Sequence, residues 1–439
     1  MGSCPRRRMV LTLLGLLLLT DLTGGAGFLS LRTGLLLRFP ALLAEEPPLI
    51  TKLRAQGAEH YRERRYYQAI RSVERALDIA EEAQRAELSR LLGRFRAALG
   101  VELFNTGENR QAEEVFREAL VHSADPYAHF GLGFLHFVRL EDEDARKELT
   151  EAARLDPSYS QTQKLLALMD YRQGDSASAL QKIRKACELD PEDAEAKALS
   201  ARWTLERGYT EKFVEKSVRG FLLRVDPRLP SGQVKRVVRL LKRARKEIAS
   251  VFGLKEDRRI AVVLFAEERF HQATGSFHWV GGVFDGQIKL PVKVGKGDSK
   301  DRDELGAAVR HEMVHVAVRE VCPECPNWLN EGIAQYFEGE VDSLAMRRLL
   351  REGAARKISF RKVPARLWEV DDEALARWTY LQGLGFVRFL ARRFHPFRLR
   401  LCLEAITREQ SVAKAFETTY GARLEVLESL WWEEVEANE

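Results

Sequence analysis

Cysteine is scarce: five in 439 residues, too few and too scattered to staple a disulfide scaffold. Proline (14) and glycine (30) are also sparse for this length, which excludes a fibrous or low-complexity chain. No sign of charge is in large excess. Lys+Arg of 70 against Asp+Glu of 65 leaves +5, and the signs alternate along helical stretches, so the composition makes no case for nucleic acid as a partner. A long apolar run is missing too. Met9–Leu19 is shorter than the roughly 20 residues that span a bilayer comfortably.

What is present is a globular composition, 45% hydrophobic and 31% charged, with enough chain for two or three cores. The N-terminus reads as an address. Arg6, Arg7 and Arg8 precede the apolar run, and Gly24-Gly25-Ala26-Gly27 follows it. Positive, then apolar, then small is the layout of a secretory signal, so an exported protein is expected, cleaved near Gly27. The second apolar stretch, Phe28–Leu43, keeps an uncleaved membrane anchor open as the alternative. Cys4 precedes the run and so is not a lipoprotein cysteine. Cys187 and Cys402 fall on apolar helical faces and read as small core residues. Cys322-Pro323-Glu324-Cys325 leaves three readings: a local disulfide or plain loop, half of a metal site, or a redox pair.

From Thr51 to about Gly208 the chain is nearly continuous helix former that repeats itself. Ala69, Ala112, Ala145 and Ala179 align at intervals of 43, 33 and 34 residues. Four and seven residues after each come Val73/Ala76, Phe116/Ala119, Leu149/Ala152 and Ile183/Ala186. Twelve residues before each lies a small residue: Gly57, Gly100, Gly133, Ala167. The pattern resembles the tetratricopeptide repeat, whose period is about 34, and covers four units plus a closing helix at Ala194–Arg207. The long first interval predicts a longer helix or loop around Glu81–Ser89. Such a solenoid either docks a peptide or protein partner in its groove or merely presents the next domain.

Asp226-Pro227 and Leu229-Pro230-Ser231 break the pattern and mark a domain boundary. Ser231 is placed to cap a helix that is apolar on one face (Val234, Val237, Leu241, Ile248) and basic on the other, with Gly253 as its stop. That basic face reads as an ordinary surface, with a membrane or RNA surface as the sharper alternative. Arg259–Phe265 predicts a buried strand, and Trp279–Pro291 a hairpin turning at Asp285-Gly286.

Glu304–Glu320 predicts a helix bearing His311-Glu312-Met313-Val314-His315. Histidines four apart share a helix face about 6 Å apart along the axis, so both imidazoles reach one metal, and the glutamate between them sits beside the metal's water. The plainer reading is two satisfied core histidines. Against it, the helix is apolar nearly all round, and two histidines in a buried helix need a reason. A catalytic zinc wants a third protein ligand. Glu331, in Asn327-Trp328-Leu329-Asn330-Glu331-Gly332-Ile333-Ala334, sits among apolar residues where an unpaired carboxylate is costly. Glu338 and Glu340 read as solvated at that helix's end. Val318 stands where a metzincin has glycine, so that pattern fails.

The two segments together resemble the gluzincins, and specifically the peptidase MA-like domain, over about Gly232–Glu439. The resemblance implies Zn²⁺ held by His311, His315 and Glu331, with Glu312 as general base in peptide hydrolysis. Thr379-Tyr380-Leu381-Gln382, before a helix at Gly385–Phe394, matches a family position where the tyrosine steadies an oxyanion; Tyr380 as plain core stands beside that reading. The Gly-x-Met-x-Asn segment of the large zinc aminopeptidases is absent, which favours an endopeptidase. The rival is a non-enzymatic assembly protein carrying a zincin relic, but a relic is expected to lose Glu312 first, and it is present.

The expected architecture is mostly α: a tetratricopeptide-repeat solenoid followed by an α+β zincin-like metallopeptidase domain. The expected bounds are a signal or anchor over 1–27, a linker over 28–50, the repeat over 51–209, a linker over 210–230 and the metallopeptidase domain over 231–439.

Overall fold

A computed structural model describes residues 48–255, 258–275, 281–295, 299–339, 343–353, 357–363, 373–409 and 411–437. The signal or anchor, and nearly all of the first linker, lie outside the described residues. The described chain forms two compact units, one of residues 48–169 and 177–197, the other of 170–176 and 198–437.

The first unit is built of paired helices: α1 (Pro48–Arg62) with α2 (Tyr66–Asp78), α3 (Glu82–Asn105) with α4 (Asn109–His122), and α5 (Pro126–Val138) with α6 (Asp142–Leu155). The fourth pair is α7 (Ser160–Arg172) and α8 (Ser176–Leu189), followed by α9 (Ala194–Thr210). The aligned alanines all fall on the second helix of a pair and are fully buried. The aligned glycines fall on the first helix, where each faces the residue four after the aligned alanine. A Cβ on Gly57 would sit 3.3 Å from Val73, one on Gly100 2.6 Å from Phe116, and one on Gly133 2.7 Å from Leu149. Small residues therefore set the helix crossings, as the repeat requires. The long first interval is a longer helix, since α3 runs for 24 residues.

The second unit is α+β. A five-stranded sheet has the order β1-β2-β3-β5-β4. Its strands are β1 (Val214–Val218), β2 (Phe221–Val225), β3 (Ile260–Ala266), β4 (Val283–Phe284) and β5 (Ile288–Val292). The central β2, β3 and β5 run parallel, and β1 and β4 pair antiparallel at the two edges. Strand β3 is buried throughout. Ile260, Val262 and Leu264 face the large core, while Val263 and Phe265 pack with Phe270 and Ala273 on the other side. The crossover from β2 to β3 is α10 (Ser231–Phe252), and α11 (Glu267–Thr274) follows β3. Ser231 begins α10 without capping it by side chain, and Gly253 ends it in the left-handed conformation, φ 75°. Helices α12 (Ser299–Val321), α13 (Asn327–Glu338), α14 (Ser343–Glu352), α15 (Glu373–Phe394), α16 (Phe397–Glu409), α17 (Val412–Tyr420) and α18 (Leu424–Ala437) complete the unit.

Two boundaries need correcting. Residues 210–230, expected as a linker, contain the β1–β2 hairpin. Phe221, Leu223 and Val225 alternate inward on β2 and join the main core, a period-2 signal overshadowed by the Asp226-Pro227 break just after it. The repeat also does not end at 209, because residues 170–176 and 198–210 belong to the second unit. Among the described residues no helix is long and apolar enough to cross a membrane.

Candidate metal centre

Helix α12 is held at the centre of the second unit by Val309, Met313, Val314, Ala317 and Val318, all buried. After it Cys322 and Cys325 make a turn in which the Cys325 amide donates to the Cys322 carbonyl at 3.1 Å. Both thiols are buried and unbridged, so the disulfide reading is not met; Cys402 is likewise a free core thiol. The turn returns the chain as α13, whose Trp328, Leu329, Ile333 and Ala334 point into the same core. Arg310 fastens the two helices by donating to the carbonyls of Phe337, at 2.9 Å, and Glu338.

This crossing brings His311, His315 and Glu331 together, with one ligand-type atom of each within 4.8 Å of the others. His311 Nε2 lies 3.5 Å from Glu331 Oε2, and His315 Nε2 lies 3.6 Å from Glu331 Oε1. Both Nδ1 atoms face outward onto oxygens: His311 onto Glu338 Oε1 at 2.5 Å and His315 onto Asn330 Oδ1 at 3.0 Å. An oxygen at each Nδ1 favours a proton there and leaves both Nε2 atoms turned toward Glu331, the arrangement a metal-binding histidine needs. The Phe284 ring lies nearly parallel to His315, 14° between planes.

The electrostatics point the same way. Burial alone would depress His311, but hydrogen bonds to Glu331 and Glu338 outweigh it and push its pKa well above the ordinary value. Burial holds His315 below the ordinary value. Burial would raise Glu331, yet the two imidazoles beside it hold it low, hence ionised. These groups draw positive charge into a buried place.

Glu312 is different. Burial, with Glu331, Glu338 and Asp285 nearby and only His311 opposing, pushes its pKa up to about 8. Its side chain is 3% exposed, and Oε2 meets no donor among the described residues. The β4 edge runs directly over it, since a Cβ on Gly282 would lie 2.7 Å from Glu312 Oε1. Bare glycine backbone is what fits there.

Tyr380 lies inside α15, which begins at Glu373, and not ahead of a helix starting at Gly385. Backbone contact explains its place. A Cβ on Gly332 would sit 2.7 Å from the Gly383 carbonyl oxygen, so α13 and α15 approach through paired glycines. The tyrosine, one turn before Gly383, is half-buried, and burial with the Glu331 carboxylate raises its pKa, so it stays a hydrogen-bond donor. Gln382 is structural: its carboxamide accepts from the Ile358 amide at 3.2 Å and donates to the Ile358 carbonyl.

Sequence reasoning missed Glu338, Asn330 and Gly282. Glu338 is not simply solvated, because its carboxylate engages His311. Its spacing of seven residues from Glu331, two turns on the same helix face, was the available signal. Glu340 lies outside the described residues.

Also missed was a buried ionic cluster behind the β4–β5 turn. Lys289, pointing away from the main core, lies 2.6 Å from both Glu206 Oε2 and Asp285 Oδ2. Arg202 stands 3.1 Å from Asp285, the Tyr171 hydroxyl 2.7 Å from Glu206, and Gln287 Nε2 donates to the Tyr171 carbonyl at 2.7 Å. Burial would raise Asp285, but Lys289 and Arg202 hold it low. The turn carrying the edge strand is thus tied to α9 and to the end of α7.

Residues 248–437 match the Peptidase MA superfamily model. No curated protein matches the chain significantly. Among solved structures, a MamA mutant is 19% identical with a TM-score of 0.26, covering 37% of this chain and 90% of its own. The MamA protein itself is also 19% identical with a TM-score of 0.25, covering 39% of this chain and 98% of its own. The family match spans α12, α13 and α15, the three helices that carry His311, His315, Glu331 and Tyr380, so the chain is similar to the Peptidase MA superfamily through residues 248–437.

Proposed function

We propose that the second unit hydrolyses peptide bonds with a zinc ion held by His311, His315 and Glu331. The observation that carries this reading is the pair of Nε2 atoms aimed at one half-buried carboxylate, each imidazole oriented by an acceptor on its Nδ1. Two imidazoles and one carboxylate are a donor set suited to zinc, with room for one more ligand. When bound, the ion supplies Lewis-acid polarisation of a carbonyl and acidifies water.

The chain's own residues do the rest. Glu312, buried and without a partner at Oε2, accepts the proton of the attacking water and hands it to the leaving amine. Glu312 would be held ionised, as a base requires, by the positive charge of an ion at the neighbouring ligands, against the burial that raises its pKa. Tyr380 donates to the oxygen that gains charge. Of the two sheet edges, β4 (Val283–Phe284) is the one that follows Gly282 beside Glu312, and it offers an extended peptide backbone pairing. Backbone pairing along β4 would hold a peptide segment over Glu312, and with the Gly-x-Met-x-Asn segment missing from the sequence an endopeptidase is the reading preferred. The helical repeat is assigned the docking of substrate or a protein partner.

Chelator competition tests the ligand assignment. Zinc affinity falls by well over 10-fold in Glu331→Gln, because a ligand is lost. In Glu338→Gln it falls by a smaller factor, at the low end of the roughly 10- to 100-fold seen when an orienting partner is removed. The reverse ordering overturns the assignment. Tyr380→Phe is expected to lower kcat by roughly 10²-fold with little change in KM or zinc content. Unchanged turnover returns Tyr380 to the core.

The same proposal makes the protein exported or membrane-attached, on the charge, apolar and small-residue layout of residues 6–27. Mass spectrometry of the native protein should find a chain starting close to Phe28; an intact Met1–Gly27 identifies an anchor.

A further inference from the structure

Helix α10 carries seven Lys and Arg residues against one Glu. Its excess of six exceeds the +5 of the entire chain, so the remainder of the protein is close to neutral. The cations are not scattered around the helix. Lys235, Arg239, Lys242, Arg243 and Lys246 are all exposed and follow the i, i+4, i+7, i+8, i+11 spacing of a single face, roughly 16 Å long. The opposite face, Val234, Val237, Leu241, Ala244, Ile248 and Phe252, is consumed by the core.

Elsewhere on this protein exposed cations are commonly paired with acids, as in Arg117–Glu113, Arg154–Glu151 and Arg348–Glu352. Among the described residues, Arg245, on the flank, is the α10 cation with hydrogen-bond partners, donating to the carbonyls of Gly220, Lys255 and Arg258. The five stripe residues form no ion pair or hydrogen bond among the described residues. Five unpaired like charges in a row repel one another, and an anionic surface relieves that repulsion.

We propose that this stripe is an electrostatic docking face for an anionic lipid surface. Two features favour lipid headgroups over nucleic acid. No aromatic or amide side chain interleaves the cations to stack on a base or read its edge. The sequence also carries the apolar run Phe28–Leu43, which cleavage near Gly27 would leave in place, and stable attachment takes an apolar signal and a basic patch together. The choice of lipid therefore rests in part on the exported or membrane-attached reading, while the stripe's need for an anion does not. With its apolar face buried in the core, α10 adsorbs by charge and inserts nothing.

The full chain should float with vesicles of phosphatidylcholine mixed with phosphatidylserine more strongly than with phosphatidylcholine alone. That increment should fade as salt is raised, a test that needs no variant. Lys235→Gln/Arg239→Gln/Lys242→Gln/Lys246→Gln, all at exposed positions, should keep the thermal transition and lower affinity for the anionic vesicles by roughly 10²- to 10³-fold at low salt. Equal binding to both vesicle types, a salt-insensitive increment, or a folded variant that binds like wild type overturns the proposal. Tighter binding of wild type to single-stranded RNA or duplex DNA than to the anionic vesicles at the same salt overturns it as well.

Discussion

Glu312→Gln is expected to fold normally, to bind zinc as wild type does, and to lose nearly all peptide hydrolysis. Glutamine matches the shape of glutamate, and Glu312 is not one of the three residues, His311, His315 and Glu331, whose ligand atoms converge. What glutamine cannot do is accept a proton. General bases typically contribute about 10²- to 10⁴-fold, and a buried base with no competing partner belongs at the upper end. The substitution also removes a carboxyl that burial drives toward neutrality, so stability should hold or rise slightly. Zinc content, the melting transition and kcat/KM measured on one preparation separate these effects. A variant that keeps zinc and also keeps activity removes Glu312 from the mechanism.

Lys289→Met should unfold the protein far more readily, by about 3–5 kcal/mol, the usual cost of stripping one partner from a buried ion pair. Lys289 is 1% exposed and serves two carboxylates, Glu206 and Asp285, which are themselves buried. Without the ammonium, Arg202 remains near Asp285 alone, and the Glu206 carboxylate keeps only the Tyr171 hydroxyl. The loss should be pH-dependent. Asp285 is held below its ordinary pKa in the native protein, so its contribution is present above the unfolded carboxyl pKa and is lost as pH falls through the depressed value. The wild-type advantage over Lys289→Met, read by denaturant titration, should therefore shrink in acid. Equal stability of the two proteins at neutral pH would mean that the cluster is no anchor for the β4–β5 turn.

How far the sequence reaches depends on how local the physics is. His311 and His315 are legible because four residues on a helix make one face, whatever the rest of the protein does. Glu331 is legible because a carboxylate among Trp328, Leu329, Ile333 and Ala334 is costly unless something neutralises it. The repeat shows itself in glycines spaced by the helix pair, and the contacts of Gly57, Gly100 and Gly133 explain why those positions are small. Longer-range features are hidden. Lys289 reads as an ordinary strand residue because its partner Glu206 lies 83 positions earlier. The β1–β2 hairpin passes for a linker because β1 is exposed and weakly patterned, with only β2 carrying a buried face. Glu338 looks solvated until α13 is laid across α12, which no single helix pattern reveals. Tyr380 reaches the cluster through the Gly332–Gly383 crossing, and that depends on two segments about fifty residues apart meeting backbone to backbone.

Zinc-dependent peptide hydrolysis is tested by digestion of a peptide library by the purified full chain, untreated, after chelation, and after zinc is returned. Internal cleavage that stops on chelation and recovers with stoichiometric zinc is the predicted result. Cleavage that persists in chelator, or a zinc-loaded protein that cuts nothing in the library, contradicts it.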